Sequence, residues 1–176
     1  MKNCPTKWLF LTIITFIVSL SLLIASCDSN GRVSEKLLTE QEKQAEIQQI
    51  IETINTYNQA ANEKSWQKMV STLADEIMFF GTDRGESAKN FNEFKNTMQK
   101  QWDDYEVLSY GALDTAEAFI SIDDYARYAN VIYGSYVVFG KKAAPDTFYT
   151  VTQRTLKKDI KDNKWLIESG ILAVLR

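Results

Sequence analysis

The chain has 176 residues, 45% of them hydrophobic, which suits one globular domain with a sizeable core plus an appendage. Lys and Arg number 20 and Asp and Glu 23; with only Lys2 and Lys7 in the first 26 residues, the remainder is net acidic and lacks the basic surface that nucleic-acid binding needs. Histidine is absent, which removes the commonest general base and the commonest metal ligand together.

Residues 1–26 read as a targeting segment. Lys2 and Lys7 make a short positive region, Trp8 to Ile24 is an apolar run softened by Thr and Ser, and Ile24-Ala25-Ser26-Cys27 follows. That tetrapeptide resembles a bacterial lipobox, and the resemblance implies cleavage before Cys27 and a lipid on its thiol. The alternative is an uncleaved anchor in which Cys27 is incidental, although the run is slightly short for a bilayer span. Either way, the domain is expected in the bacterial cell envelope, tethered outside the cytoplasmic membrane. Cys4 leaves with the signal, so the mature chain is expected to hold no disulfide and no nucleophilic thiol. Residues 27–34, which include the polar stretch Asp28 to Ser34, read as a flexible tether, and residues 35–176 as the domain.

Helical signal starts near Glu35 and strengthens from Ala45, where Ile47, Ile50, Ile51, Ile54, Tyr57 and Ala61 recur at spacings of three and four. Asn62-Glu63-Lys64 breaks the rhythm. Ser65 is a candidate N-cap for a short second helix with Trp66, Met69, Val70 and Leu73 on its stripe. Ile77 to Phe80 predicts a strand running into Gly81-Thr82-Asp83, with a turn at Arg84-Gly85. Asn90 predicts the cap of a third helix carrying Phe91, Phe94, Met98 and Trp102. Tyr105 to Ala112, Ala116 to Ile122, Ala126 to Phe139, Thr147 to Lys158 and Lys164 to Leu175 are rich in β-branched and aromatic residues, as strands are. Turn chemistry separates them, including Gly140 with Pro145 and Asp162-Asn163. Helices first and antiparallel strands afterwards predict an α+β domain in which three helices pack on one face of a curved sheet.

ANEKSWQKMVSTLADEIMFFGTD, residues 61–83, resembles the signature region of the nuclear-transport-factor-2-like superfamily, in its polyketide-cyclase-like (SnoaL-like) branch. DNKWLIE, residues 162–168, is similar to the start of the last strand in many members. The resemblance covers roughly Gln44 to Arg176 and implies a cystatin-like cone, a mixed or antiparallel sheet wrapped around a pocket. The superfamily holds enzymes and binding modules alike, so the fold does not fix the function. Laying the acidic pair of its member ketosteroid isomerase on Asp75-Glu76 puts that enzyme's oxyanion-holding tyrosine on Tyr57 and its general-base aspartate on Gly81.

The resemblance and the missing histidine together predict a pocket that binds a small apolar or aromatic ligand, or a partner protein, without catalysis. The alternative is an isomerase, cyclase or dehydratase using Asp83 and Tyr57 as acid-base groups. Pocket candidates are Tyr57, Trp66, Phe80, Asp83, Trp102, Tyr110, Tyr128 and Tyr133; each also reads as an ordinary core, turn or surface residue. Period two puts Tyr128 with Tyr136 on one strand face and Tyr133 on the other. The carboxylates lack calcium-loop spacing, so no metal and no cofactor are expected. A sheet face rich in Tyr and Val is expected to be covered by a second copy, making a homodimer.

Overall fold

A computed structural model describes residues 36–82 and 86–174. Cys27, the whole targeting segment and Asp83 lie outside the described residues. The elements belong to one compact unit, Leu37–Arg176.

Helix α1, Glu40–Asn62, starts five residues after Glu35, where the helical signal of the sequence begins. Thr39 supplies the reason: its hydroxyl accepts from the Glu42 amide at 3.2 Å while the Glu42 carboxylate accepts from the Thr39 amide at 2.8 Å. This reciprocal capping box satisfies two amide groups that a helix start leaves without partners. Ile50, Ile54, Tyr57, Ala60 and Ala61 are the buried face of α1. Helix α2, Trp66–Val70, follows the break, but Ser65 caps it through backbone geometry with no side-chain hydrogen bond. Helix α3, Phe91–Asp104, is capped by the Asn90 side chain, which accepts from the Glu93 amide at 3.0 Å.

The strands are β1 Leu73–Phe80, β2 Ser87–Ala88, β3 Val107–Tyr110, β4 Phe119–Ile122, β5 Tyr128–Lys141, β6 Ala144–Asp159 and β7 Lys164–Val174. They form one sheet in the order β2-β1-β7-β6-β5-β3, with β4 also pairing β5. The β1–β7 pair is parallel and the others are antiparallel, so the sheet is mixed. Register shifts between Leu73 and Met78 on β1, and between Thr155 and Leu156 on β6, are bulges of the kind that bend a strand and curl a sheet. The result is a fold of three helices against a curled half-barrel.

Several strand ends differ from the sequence reading for local reasons. β4 begins at Phe119 rather than Ala116 because the Asp114 carboxylate accepts from the Ala116 amide and the Asp114 carbonyl from the Glu117 amide, closing a turn there. Pro145 lies inside β6 instead of breaking it. Among the described residues the β7 pairing reaches no further than Thr150, so Pro145 pairs on the β5 side alone, and an edge position tolerates a residue without an amide proton. Gly140, at φ +114°, takes the backbone conformation that lets β5 enter the tight Lys142-Ala143 turn.

The core lies between the inner sheet face and the helices, with Trp165, Tyr133, Met69, Leu156, Ile167 and Val131 fully enclosed. One buried polar cluster ties α1 to the sheet: Lys158 ion-pairs with Glu46, and the Trp165 indole donates to the same carboxylate at 2.8 Å. A second set of polar contacts fixes the segment after β3. Asn62 exchanges two hydrogen bonds with the Tyr110 backbone, Asn58 donates to the Gly111 carbonyl at 2.9 Å, and Asn55 accepts from the Leu113 amide at 2.9 Å. These three asparagines recur at spacings of three and four, so one stripe of α1 holds a run of chain that has no strand partner on that side.

Candidate functional site

A cavity opens between α1, α3 and the inner face of the curled sheet. Helix α3 turns Phe94, Thr97, Met98 and Gln101 into it, the i, i+3, i+4, i+7 face of that helix. Tyr57 enters from α1, Phe79 from β1, Tyr110 from β3, Arg154 from β6 and Leu172 from β7, while Gly81 and Glu86 form the lip. The inner chamber has a free volume of about 50 Å³. An outer chamber of about 140 Å³ shares Glu86, Gln101, Tyr110 and Leu172 with it and is otherwise mostly apolar, with Tyr105, Leu108, Val137, Phe139 and Phe148.

The inner wall is an aromatic stack. Phe79 and Phe94 lie 4.4 Å apart between ring centres, and Tyr57 is nearly parallel to Phe79 at 6.0 Å. The Arg154 guanidinium sits over both Tyr57 and Phe79, at 5.1 and 5.3 Å from their centres. Burial pushes the Tyr57 hydroxyl up to about 12, against a smaller downward pull from Arg154. Burial likewise raises Tyr110 well above the ordinary tyrosine range, with neighbouring Tyr57 adding to it. Both phenols are therefore neutral donors at physiological pH.

At the lip, Glu86 does something its position in the sequence does not announce. A side chain at Gly81 would start within 2.5 Å of the Glu86 carboxylate and of its Cβ, so this glutamate fills the space beside the glycine. Its oxygens accept from the Thr82 amide at 2.9 Å, the Thr82 hydroxyl at 3.1 Å and the Gln101 amide at 3.0 Å. The Tyr110 hydroxyl reaches Gln101 at 3.5 Å, extending a polar line from the lip inward. A carboxylate thus stands where the family register offers only Gly81.

Of the residues singled out from sequence, Tyr57 and Tyr110 line the cavity, and Phe80 touches its rim from a strand position exposed on the outer sheet face. Four do not meet there. Trp66 packs against Phe91, Phe94 and Lys95. Trp102 is buried with its indole donating to the Ala61 carbonyl. Tyr133 is enclosed in the core, and Tyr128 is exposed on the opposite sheet face. Arg154, Glu86 and Gln101 were not anticipated. The signal for Arg154 was present: on β6 it shares parity with Thr150, Thr152 and Leu156, a cation in a row that faces inward. Among the described residues, no group of three or more His, Cys, Asp or Glu is placed to hold a metal.

Residues 50–130 match the family model of the SnoaL-like domain. No curated protein sequence matches the chain. Solved structures similar to it include a protein from Novosphingobium aromaticivorans assigned as a scytalone dehydratase, 14% identical with a TM-score of 0.62 over 76% of this chain and 87% of that one. A nuclear-transport-factor-2-like protein with a cystatin-like fold, also from Novosphingobium aromaticivorans, is 12% identical with a TM-score of 0.61 over 85% and 92% of the two chains. A ketosteroid isomerase-like protein from Erwinia carotovora is 15% identical with a TM-score of 0.59 over 74% and 97%. At such identities the likeness speaks for the fold.

Proposed function

Because the SnoaL-like match and these structural likenesses support a place in the nuclear-transport-factor-2-like superfamily, we propose that the domain binds a small apolar or aromatic ligand in its cone without transforming it. The observation that carries this is the state of the lining groups. Tyr57, Tyr110 and Arg154 are donors, and the carboxylate at the lip, Glu86, already accepts from Thr82 and Gln101. Three of the roughly four acceptor sites of that carboxylate are thereby taken, and a base must turn a remaining lone pair on the proton it removes. The donors and aromatic rings suit recognition, with a few polar groups orienting a mainly apolar guest. In this reading the domain is held by lipid on Cys27 outside the cytoplasmic membrane and pairs with a second copy through its outer sheet face. Among the described residues, no helix is long and apolar enough to cross a membrane.

A second reading, an isomerase or dehydratase, is favoured by the names of two structural neighbours and by the Glu86 carboxylate beside Gly81. It would use Tyr57 with Asp83 or Glu86. The experiment is a thermal-shift screen of hydrophobic metabolites against the full-length protein in lipid nanodiscs, followed by mass spectrometry of each ligand after incubation. Recovery of unchanged ligand supports binding. Conversion that falls roughly 100-fold or more in Asp83→Asn or Glu86→Gln, with affinity retained, replaces binding with catalysis.

A further inference from the structure

Arg154 is a cation enclosed among the core side chains. Its side chain is 4% exposed, its Nε is buried without a hydrogen-bond partner, and among the described residues no carboxylate forms an ion pair with it. Guanidinium does not shed its proton in proteins, so the charge stays. An unpaired buried charge is costly, and the two ring faces above which it sits offset part of that cost. The sheet also makes room for it: Gly170 is directly opposite on β7, and any side chain there would run into Nη1 of Arg154 and the Phe79 ring. A well-packed core would place an aliphatic residue in this position. The chain instead keeps a cation, a glycine to admit it and a cavity in front of it.

We propose that Arg154 is the anion-binding centre of the cone, and that the ligand is a small apolar or aromatic monocarboxylic acid whose carboxylate pairs with the guanidinium while its body fills the outer chamber. This rests on the ligand-binding reading above and narrows it to one chemical class. Three features select the class. The guanidinium fork matches a planar carboxylate with two parallel hydrogen bonds. An inner chamber of about 50 Å³ leaves space for such a head group and little more, whereas the outer chamber of about 140 Å³ is lined by Tyr105, Leu108, Val137, Phe139 and Phe148. Glu86, on the lip of both, adds a negative charge that disfavours a doubly charged guest such as phosphate. The neutral Tyr57 phenol, which faces the same chamber, is placed to donate to a carboxylate oxygen.

The test uses the full-length protein in lipid nanodiscs and calorimetric titration with phenylacetate, indole-3-acetate and octanoate, each beside its neutral amide, and with inorganic phosphate. The expected result is that at least one acid binds about tenfold or more tighter than its amide, that phosphate binds more weakly than that acid, and that Arg154→Met abolishes the difference. If Arg154→Met does not fold, the arginine Nε–H NMR resonance of the wild type gives the answer, since it must move with the acid and not with the amide. Amides that bind as well as acids overturn the assignment of Arg154 and leave a neutral-ligand pocket standing. Phosphate binding as tightly as the acids overturns the carboxylate class. Failure of every acid and every amide to bind at millimolar concentration overturns both this inference and the binding reading.

Discussion

Tyr57 lies against Phe79, Phe94 and the Arg154 guanidinium with its pKa pushed up to about 12, where an unfolded chain would show about 10. The folded state therefore favours the protonated phenol, and that contribution is complete below pH 10 and lost as pH rises toward 12. Stability is expected to fall across that window by an amount on the order of 2 to 3 kcal/mol, and Tyr57→Phe should flatten the fall. Denaturant titrations at stepped alkaline pH check both. Glu46 makes a second prediction, because it neutralises Lys158, whose side chain is 9% exposed, and accepts from Trp165. Glu46→Ala leaves that ammonium unpaired and should cost about 3 kcal/mol of unfolding free energy, with Glu46→Gln costing less because it keeps an acceptor for the indole. At this scale Tyr57 was legible in the sequence, since it sits on a periodic apolar stripe, whereas its stacking partners Phe79 and Phe94 were not among the pocket candidates. The sequence hid Glu86, whose place beside Gly81 depends on how the chain returns to β1 as β2.

Elements other than the two-residue β2 were legible in kind and order, and their ends were not: Leu73, read on the stripe of the second helix, opens β1. Apolar spacing marks a helix face but is silent on where the first turn closes, which at α1 is decided by one threonine and one glutamate. Thr39→Ala should therefore cost about 1 kcal/mol in denaturant unfolding, even though Thr39 is exposed and touches none of the core. The asparagine stripe of α1 was equally hidden, because Asn55, Asn58 and Asn62 read as polar relief on an amphipathic helix until β3 is laid beside them. Asn58 is 3% exposed and is the donor to the Gly111 carbonyl. Asn58→Leu should leave that carbonyl without this partner at a cost of about 1 to 3 kcal/mol, and the cost should appear in urea unfolding with no change in the slope of the transition.

For the molecule as a whole, an α+β order of elements with one small-residue break was enough to place helices on one sheet face. The sequence could not show which outer residues align, because that depends on register. Phe80, Ile171, Gln153, Ile132 and Phe119 are successive partners across β1, β7, β6, β5 and β4, and all of them but Gln153 are large exposed apolar side chains. Exposed apolar side chains lined up on both sides of one glutamine in this way are seldom left to water. The expected outcome is a dimer of the full-length protein by light scattering in detergent, shifted to monomer by Ile132→Glu with Ile171→Glu. A monomeric wild-type mass would remove the sheet from the interface. The anchor is checked on membrane-extracted protein, where mass spectrometry should find an acylated Cys27 peptide; an intact peptide across Ser26-Cys27 as the dominant form would rule out the lipidated terminus.

The three amides on α1 also make that helix a ruler. Each residue added to an α-helix turns everything beyond it by about 100°, so one extra residue between Asn55 and Asn62 would swing the later amides off the 110–113 backbone and release Tyr110 from its place at the cavity. An alanine inserted ahead of Thr39 would leave both that phasing and the capping box intact. Length variation in this protein should therefore be accepted ahead of α1 and rejected from Glu46 onward, where the ion pair with Lys158 adds to the same phasing, and a scan of single-residue insertions read by folding yield would draw that boundary near Glu46.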